Sequence, residues 1–186
     1  MDPLLLALAV FAVALLYSSV GHAGASGYIA LMALAGLDPA WIKPTALILN
    51  IGVATIASFH FWRAGHFSWR FFWPLALGSI PWAFTGGYWS LPLPLFRLLL
   101  GAVLVFAGLR FWFRPDEPDE LRNPSRSERF FTGVLFGLLA GLTGTGGGIF
   151  LTPWSLLRRW AFTRQAAALS AFFILANSVA GLTGSL

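Results

Sequence analysis

Cysteine is absent from the 186 residues, and only 10% of them are charged. The first absence excludes disulfides, thiolate nucleophiles and Cys-ligated metals. The second excludes a soluble globular fold. Such a domain carries about 25% charged residues, and a chain this short leaves much of its surface exposed with too few polar side chains here to cover it. No Asp or Glu falls inside an apolar run, so the carboxylate usual in proton or cation coupling is missing from those segments. The HExxH zinc motif, the GxSxG nucleophile elbow and the Walker phosphate loop are also missing, which argues against a metalloprotease, a hydrolase or an ATP-driven pump subunit. The expectation is therefore no enzyme, no catalytic residue, no bound metal and no cofactor. The start carries Asp2 and no Lys or Arg where a cleaved signal peptide needs positive charge.

What is present is apolar. Hydrophobic residues make up 58% of the chain and gather in runs near 3–20, 25–36, 44–62, 71–89, 95–113, 130–143, 148–157 and 166–183. About 20 residues cross the hydrocarbon layer as a helix, which several runs achieve. The runs 25–36 and 148–157 are too short to span, and each follows a glycine-rich turn. The pattern predicts an all-α membrane protein, a multi-span helical bundle whose solvent is the lipid bilayer.

Twelve Lys and Arg give a net charge of +5, but they sit in short segments between apolar runs with no basic stripe of stacking aromatics, so nucleic acid is not a partner. Basic loops at 63–70, 110–129 and 158–164 belong on the cytoplasmic side, and the less basic loops 37–43 and 91–94 outside. The stretch 114–129 mixes both signs with three prolines and reads as an exposed cytoplasmic linker, its acids Asp116, Glu117, Asp119 and Glu120 forming a solvated charge run. It divides a first membrane repeat, 1–113, from a second, 130–186.

Two features recur across the linker. One is a glycine turn before a short apolar run: Gly21-His22-Ala23-Gly24-Ala25-Ser26-Gly27 in the first half and Gly144-Thr145-Gly146-Gly147-Gly148 in the second. The other is an Asn inside a long apolar run, Asn50 and then Asn177. Five segments precede the linker, and an odd count inserts the second copy upside down, so the repeats are expected to be inverted with their short helices broken by glycine. Nothing after Leu186 matches 71–113, so the second repeat is expected to be truncated, the rival being a homodimer that completes it.

Glycines between two apolar segments break a helix inside the membrane, and the amides freed at the next helix start carry the positive end of its dipole. That makes an anion site without a cationic side chain; the plainer reading is close helix packing by small residues. His22, Gly24 and Ser26 in the first turn and Thr145, Gly146, Gly147 and Gly148 in the second are the candidate substrate-binding residues. His22 is either a hydrogen-bonded structural residue or an anion contact. Asn50 and Asn177 either bond helix to helix or line the substrate path, since a buried amide must find a partner. Thr45 and Thr143 are further hydroxyl donors. Trp41, Trp69, Trp73, Tyr88 and Trp89 cluster near segment ends as interfacial anchors.

The paired turns with Pro153, the phrase Ala171-Phe172-Phe173-Ile174-Leu175-Ala176-Asn177-Ser178-Val179-Ala180-Gly181, the Asn50 segment and the 78–108 stretch with Gly86, Gly87, Arg97 and Gly101 together carry a resemblance. The chain resembles the TauE/SafE family of sulfite exporter-like membrane permeases over essentially its whole length. The resemblance implies a secondary transporter that moves a small anionic substrate, sulfite, sulfoacetate or another organosulfur compound, across a bacterial inner membrane by alternating access. An anion channel and a non-transporting scaffold or assembly protein are the alternatives.

Overall fold

Local signals set most of the helix ends. Asp38 caps a helix by accepting a hydrogen bond from the Ala40 amide at 2.9 Å, and Pro39 takes the first turn, where its missing N–H is not needed. Ser125 accepts from the Glu128 amide at 3.1 Å in the spacing of a capping box. The computed structural model describes residues 3–19, 24–89 and 120–185, with 91–92, 94–95, 98–99, 101–102, 105 and 109 between them. Among the described residues there are seven helices and no strand: α1 (Pro3–Ser19), α2 (Ala25–Leu34), α3 (Pro39–Arg63), α4 (Trp69–Tyr88), α5 (Arg126–Thr143), α6 (Gly148–Leu157) and α7 (Thr163–Ser185). The expected all-α class holds, and the short runs end within two residues of where the hydropathy placed them. His22 and residues 110–119 lie outside the described residues, as does most of 95–113.

Two helices, at Ala40–Arg63 and Thr163–Ser185, are long and apolar enough to cross a membrane by length and composition. The helices α2 and α6 have ten residues each, about half of a span. Leu4, Leu8, Phe11, Leu34, Ile56, Phe131 and Leu157 are large apolar side chains left more than half exposed. The five expected interfacial aromatics, Trp41, Trp69, Trp73, Tyr88 and Trp89, are likewise exposed at helix ends.

Small residues set how closely the helices approach. Leu75, Ser79 and Ala83 of α4 stand against Gly133, Gly137 and Gly141 of α5 in the same order, so these two helices run parallel, backbone on backbone. A Cβ at position 137 would stand 2.6 Å from the Ser79 Cα. Glycine every fourth residue puts all three on one face of α5 and leaves no side chain between the helices. By contrast α3 and α7 run antiparallel: Leu47 packs at Gly181 near one end, and Ala54 packs with Ile174 further along.

The short helix α6 folds back along α5. Phe136 of α5 stacks on Phe150 of α6 and meets Trp154 edge-on, and Arg158, just past α6, forms an ion pair with Glu128 in the first turn of α5. Phe72 and Leu75 of α4 join Phe136, Phe150, Leu151, Leu169 and Phe173 in one core cluster. A second cluster holds Tyr28, Ile29 and Met32 of α2 against Ile42 and Ala46 of α3.

Candidate functional site

The second glycine turn is the centre of the candidate site. Gly144 ends α5 at φ 76°, Gly146 follows at φ 71°, and Gly147 begins α6 at φ 83°. These left-handed conformations strain any residue with a side chain, which is why the sequence needs glycine there. The first hydrogen bonds of α6 run from the Phe150 and Leu151 amides to the Gly147 carbonyl, both at 3.1 Å. The amides of Gly148 and Ile149 therefore lie in the part of the first turn that has no intrahelical acceptor. The helix α2 is built the same way: Gly24 begins it at φ 79°, and neither short helix has a side-chain cap.

Asn50 ties the two halves together. Its amide is fully buried and donates to the Gly144 carbonyl at 3.2 Å, while its carbonyl oxygen accepts a short hydrogen bond from the Tyr28 hydroxyl of α2. Through these contacts α2, which carries Gly24 and the buried Ser26 in its first turn, is joined to the second turn by way of α3.

The other face of the turn is closed by α7. A Cβ on Gly146 would stand 2.8 Å from Ile174 Cγ2, 2.9 Å from the Ser178 Oγ and 3.2 Å from Asn50 Nδ2. One on Gly147 would stand 2.7 Å from a ring carbon of Phe173. Thr145 is buried and shares a hydroxyl contact of 2.8 Å with Thr143. Asn177 is fully buried next in sequence to Ser178, and among the described residues neither its amide nitrogen nor its oxygen has a hydrogen-bond partner; the Ser178 Oγ has none there either. Unpaired polar groups at such depth are costly.

The fold thus brings Asn50, Thr145, Gly146, Gly147 and Gly148 together, attaches Gly24 and Ser26 to them through Tyr28, and leaves Asn177 as an unpaired amide on α7. His22 lies outside the described residues. Sequence reasoning missed three participants. Tyr28 was hidden as one aromatic in an apolar run, and Ser178 as a small residue beside Asn177. Lys43 was counted only as an outer-loop charge, yet its aliphatic stem runs over Gly144 and its Nζ donates to the carbonyls of Gly86, Gly87 and Trp89 at 2.9, 2.6 and 3.2 Å. A cation is thus fixed on the C-terminal carbonyls of α4, beside the turn. The signal for it was a lysine one residue before Pro44 in an otherwise uncharged run.

Two comparisons bear on this arrangement. Residues 6–186 match the family model described as Sulfite exporter TauE/SafE. The chain is 40% identical over 185 residues to a protein of Sinorhizobium fredii (strain NBRC 101917 / NGR234) named "Probable membrane transporter protein y4hK", covering 97% of this chain and 75% of that one. No solved structure matches. A chain matched by the family model over nearly its whole length, and close to a relative across the same span, is a transporter and not an enzyme. It belongs to the sulfite exporter TauE/SafE family of membrane transporters.

Proposed function

We propose that the protein is a secondary transporter that moves a small anion, sulfite or an organosulfonate, across the bacterial inner membrane by alternating access. Residues 1–113 and 130–186 form two inverted repeats, joined by a cytoplasmic linker at 114–129. The anion is held where the start of α6 meets Asn50, Thr145, Ser178 and Asn177, with the first turn, His22 to Ser26, supplying the matching contacts from the other repeat.

The observation that carries this reading is the unpaired amide of Asn177 beside the unpaired Ser178 hydroxyl, which faces the glycine turn at the positive end of α6. An anion supplies acceptors for those donors and for the free amides together, which neither water-free packing nor a cation does. Inversion is supported by the antiparallel course of α3 and α7 and by the matched left-handed starts of α2 and α6. Rocking one repeat against the other would work on the contact that joins them at the turn, the Asn50 amide on the Gly144 carbonyl.

The test is flux in vesicles reconstituted with the purified protein, comparing sulfite, sulfate and an organosulfonate. Saturable uptake stimulated by the same anion on the far side is expected; linear, unstimulated flux identifies a channel instead. A scaffold reading is favoured by one observation, the tight contact of Gly146, Gly147 and Gly148 with α7. It requires no flux of any of these anions.

A further inference from the structure

Away from the glycine turns, an open groove of about 1270 Å³ separates the first turns of α4 and α5. Its upper rim is cationic. Arg129 is buried, donates to the backbone carbonyls of Arg70 and Phe71 at 3.2 and 3.1 Å, and lies 4.9 Å over the Phe71 ring. Arg70 and Arg126, both exposed, act on it as like charges. The nearest acid in sequence, Glu128, is engaged by Arg122 and Arg158 instead. Among the described residues no carboxylate forms an ion pair with Arg70, Arg126 or Arg129, so three guanidinium groups stand together uncompensated.

The lower wall is apolar. Trp73, Leu77 and Phe131 are 60%, 50% and 68% exposed and continue from the arginines along α4 and α5 toward the middle of the helices. A soluble anion would satisfy the rim and leave this wall bare, and an apolar helix would cover the wall and leave the charges unpaired. One molecule matches both: a phosphate ester carrying acyl chains. Arginine beside tryptophan also places the rim at headgroup depth, where the two are favoured together.

We propose that the groove between the starts of α4 and α5 is a binding site for an anionic phospholipid, its phosphate held by Arg70 and Arg126 and its acyl chains lying on Trp73, Leu77 and Phe131. Arg129 is a positioning residue that ties α5 to the α4 backbone and adds its charge to the rim. The lipid neutralises the cationic rim and fills the cleft between two helices that carry the close glycine contacts.

Native mass spectrometry of the detergent-purified protein, titrated with phosphatidylglycerol or phosphatidylcholine, tests this. The wild type is expected to retain phosphatidylglycerol selectively. Because one Lys or Arg near an anionic surface contributes enough for several-fold in affinity, Arg70→Gln with Arg126→Gln is expected to weaken that binding about thirtyfold. A control pair, Arg63→Gln with Arg164→Gln, removes the same charge from exposed positions elsewhere and is expected to leave it intact. Both arginines of the test pair are solvent-facing, and an unchanged melting temperature separates lost binding from lost fold. Equal weakening by the control pair, undiminished binding by the test pair, or displacement of the lipid by inorganic phosphate at matched concentration would each overturn the proposal.

Discussion

Asn50 and Asn177 are the clearest case of matched residues with unmatched surroundings. Asn50 uses both ends of its amide, accepting from Tyr28 and donating to Gly144, whereas Asn177 is equally buried and uses neither. Their replacement by leucine, which keeps the same four-heavy-atom branching, should therefore act in opposite directions. Asn50→Leu strands the Tyr28 hydroxyl and the Gly144 carbonyl, and is expected to destabilise the protein by about 1–3 kcal/mol. Asn177→Leu removes an unsatisfied amide and is expected to leave the melting temperature equal or raised. Thermal denaturation in one detergent checks both. Hydropathy located the two asparagines because an amide stands out in an apolar run. It could not distinguish them, because the partners that do so are Tyr28, 22 positions away, and Gly144, 94 positions away.

At the scale of elements, the glycines divide into those a turn requires and those a helix contact requires. Gly24, Gly144, Gly146 and Gly147 adopt positive φ. Gly133, Gly137 and Gly141 are helical and serve contact with α4. Close packing is thus realised at the helical glycines, and at Gly146 a left-handed turn and a close contact with α7 coincide. Gly137→Val forces β-branched bulk into backbone atoms of Ser79 and is expected to cost about 1–3 kcal/mol or more as overpacking. Loss of monodisperse protein in size-exclusion chromatography would report it, and an unaltered profile and melting temperature would contradict the packing described here. Turn glycines were legible because they are contiguous. The α5 stripe was visible as a spacing, but the helix it meets was not, since α4 offers Leu75, Ser79 and Ala83 with no shared motif.

A clasp of charges joins elements at the basic end. Glu128 is held by Arg158 and Arg122, and the Arg122 amide donates to the Arg159 carbonyl at 2.7 Å, so the linker's end, the α5 start and the α6 end are fastened together. Glu128 precedes the apolar run that begins at Phe130. The Arg158 hydrogen bond, then the charges of Arg122 and Arg158, hold its carboxyl below the usual glutamate range. A carboxyl lowered on folding contributes stability above its unfolded pKa and loses it as pH falls through the folded value. Melting temperature should accordingly fall more steeply with acidification in the wild type than in Glu128→Gln, and parallel curves would show that the clasp does not contribute.

For the whole molecule, composition and run length carried the class: the described residues are helical and leave many large apolar side chains exposed, as a lipid-facing surface requires. Charge placement between runs gives an expectation of sides, with the basic loops 63–70, 110–129 and 158–164 together. Those loops also start α4, α5 and α7 from one side, which makes α4 parallel to α5 as found, but which faces meet was not legible, because close packing is decided by which small residues allow backbones to touch. The charge in the candidate site was least legible of all. Lys43 lies next to the turn through a contact between distant parts of the chain, and its ammonium is spread over two carbonyls of α4 and that of Trp89 just past it.

The transport proposal rests on anion contact with the polar groups that the fold leaves unpaired beside the second turn. The direct measurement is sulfite and organosulfonate uptake into vesicles by the wild type and Asn177→Leu, at equal incorporation. The expected result is a properly folded variant whose uptake falls about 10- to 100-fold, the loss of one hydrogen bond to a charged solute. Wild-type rates from the folded variant would contradict the proposal.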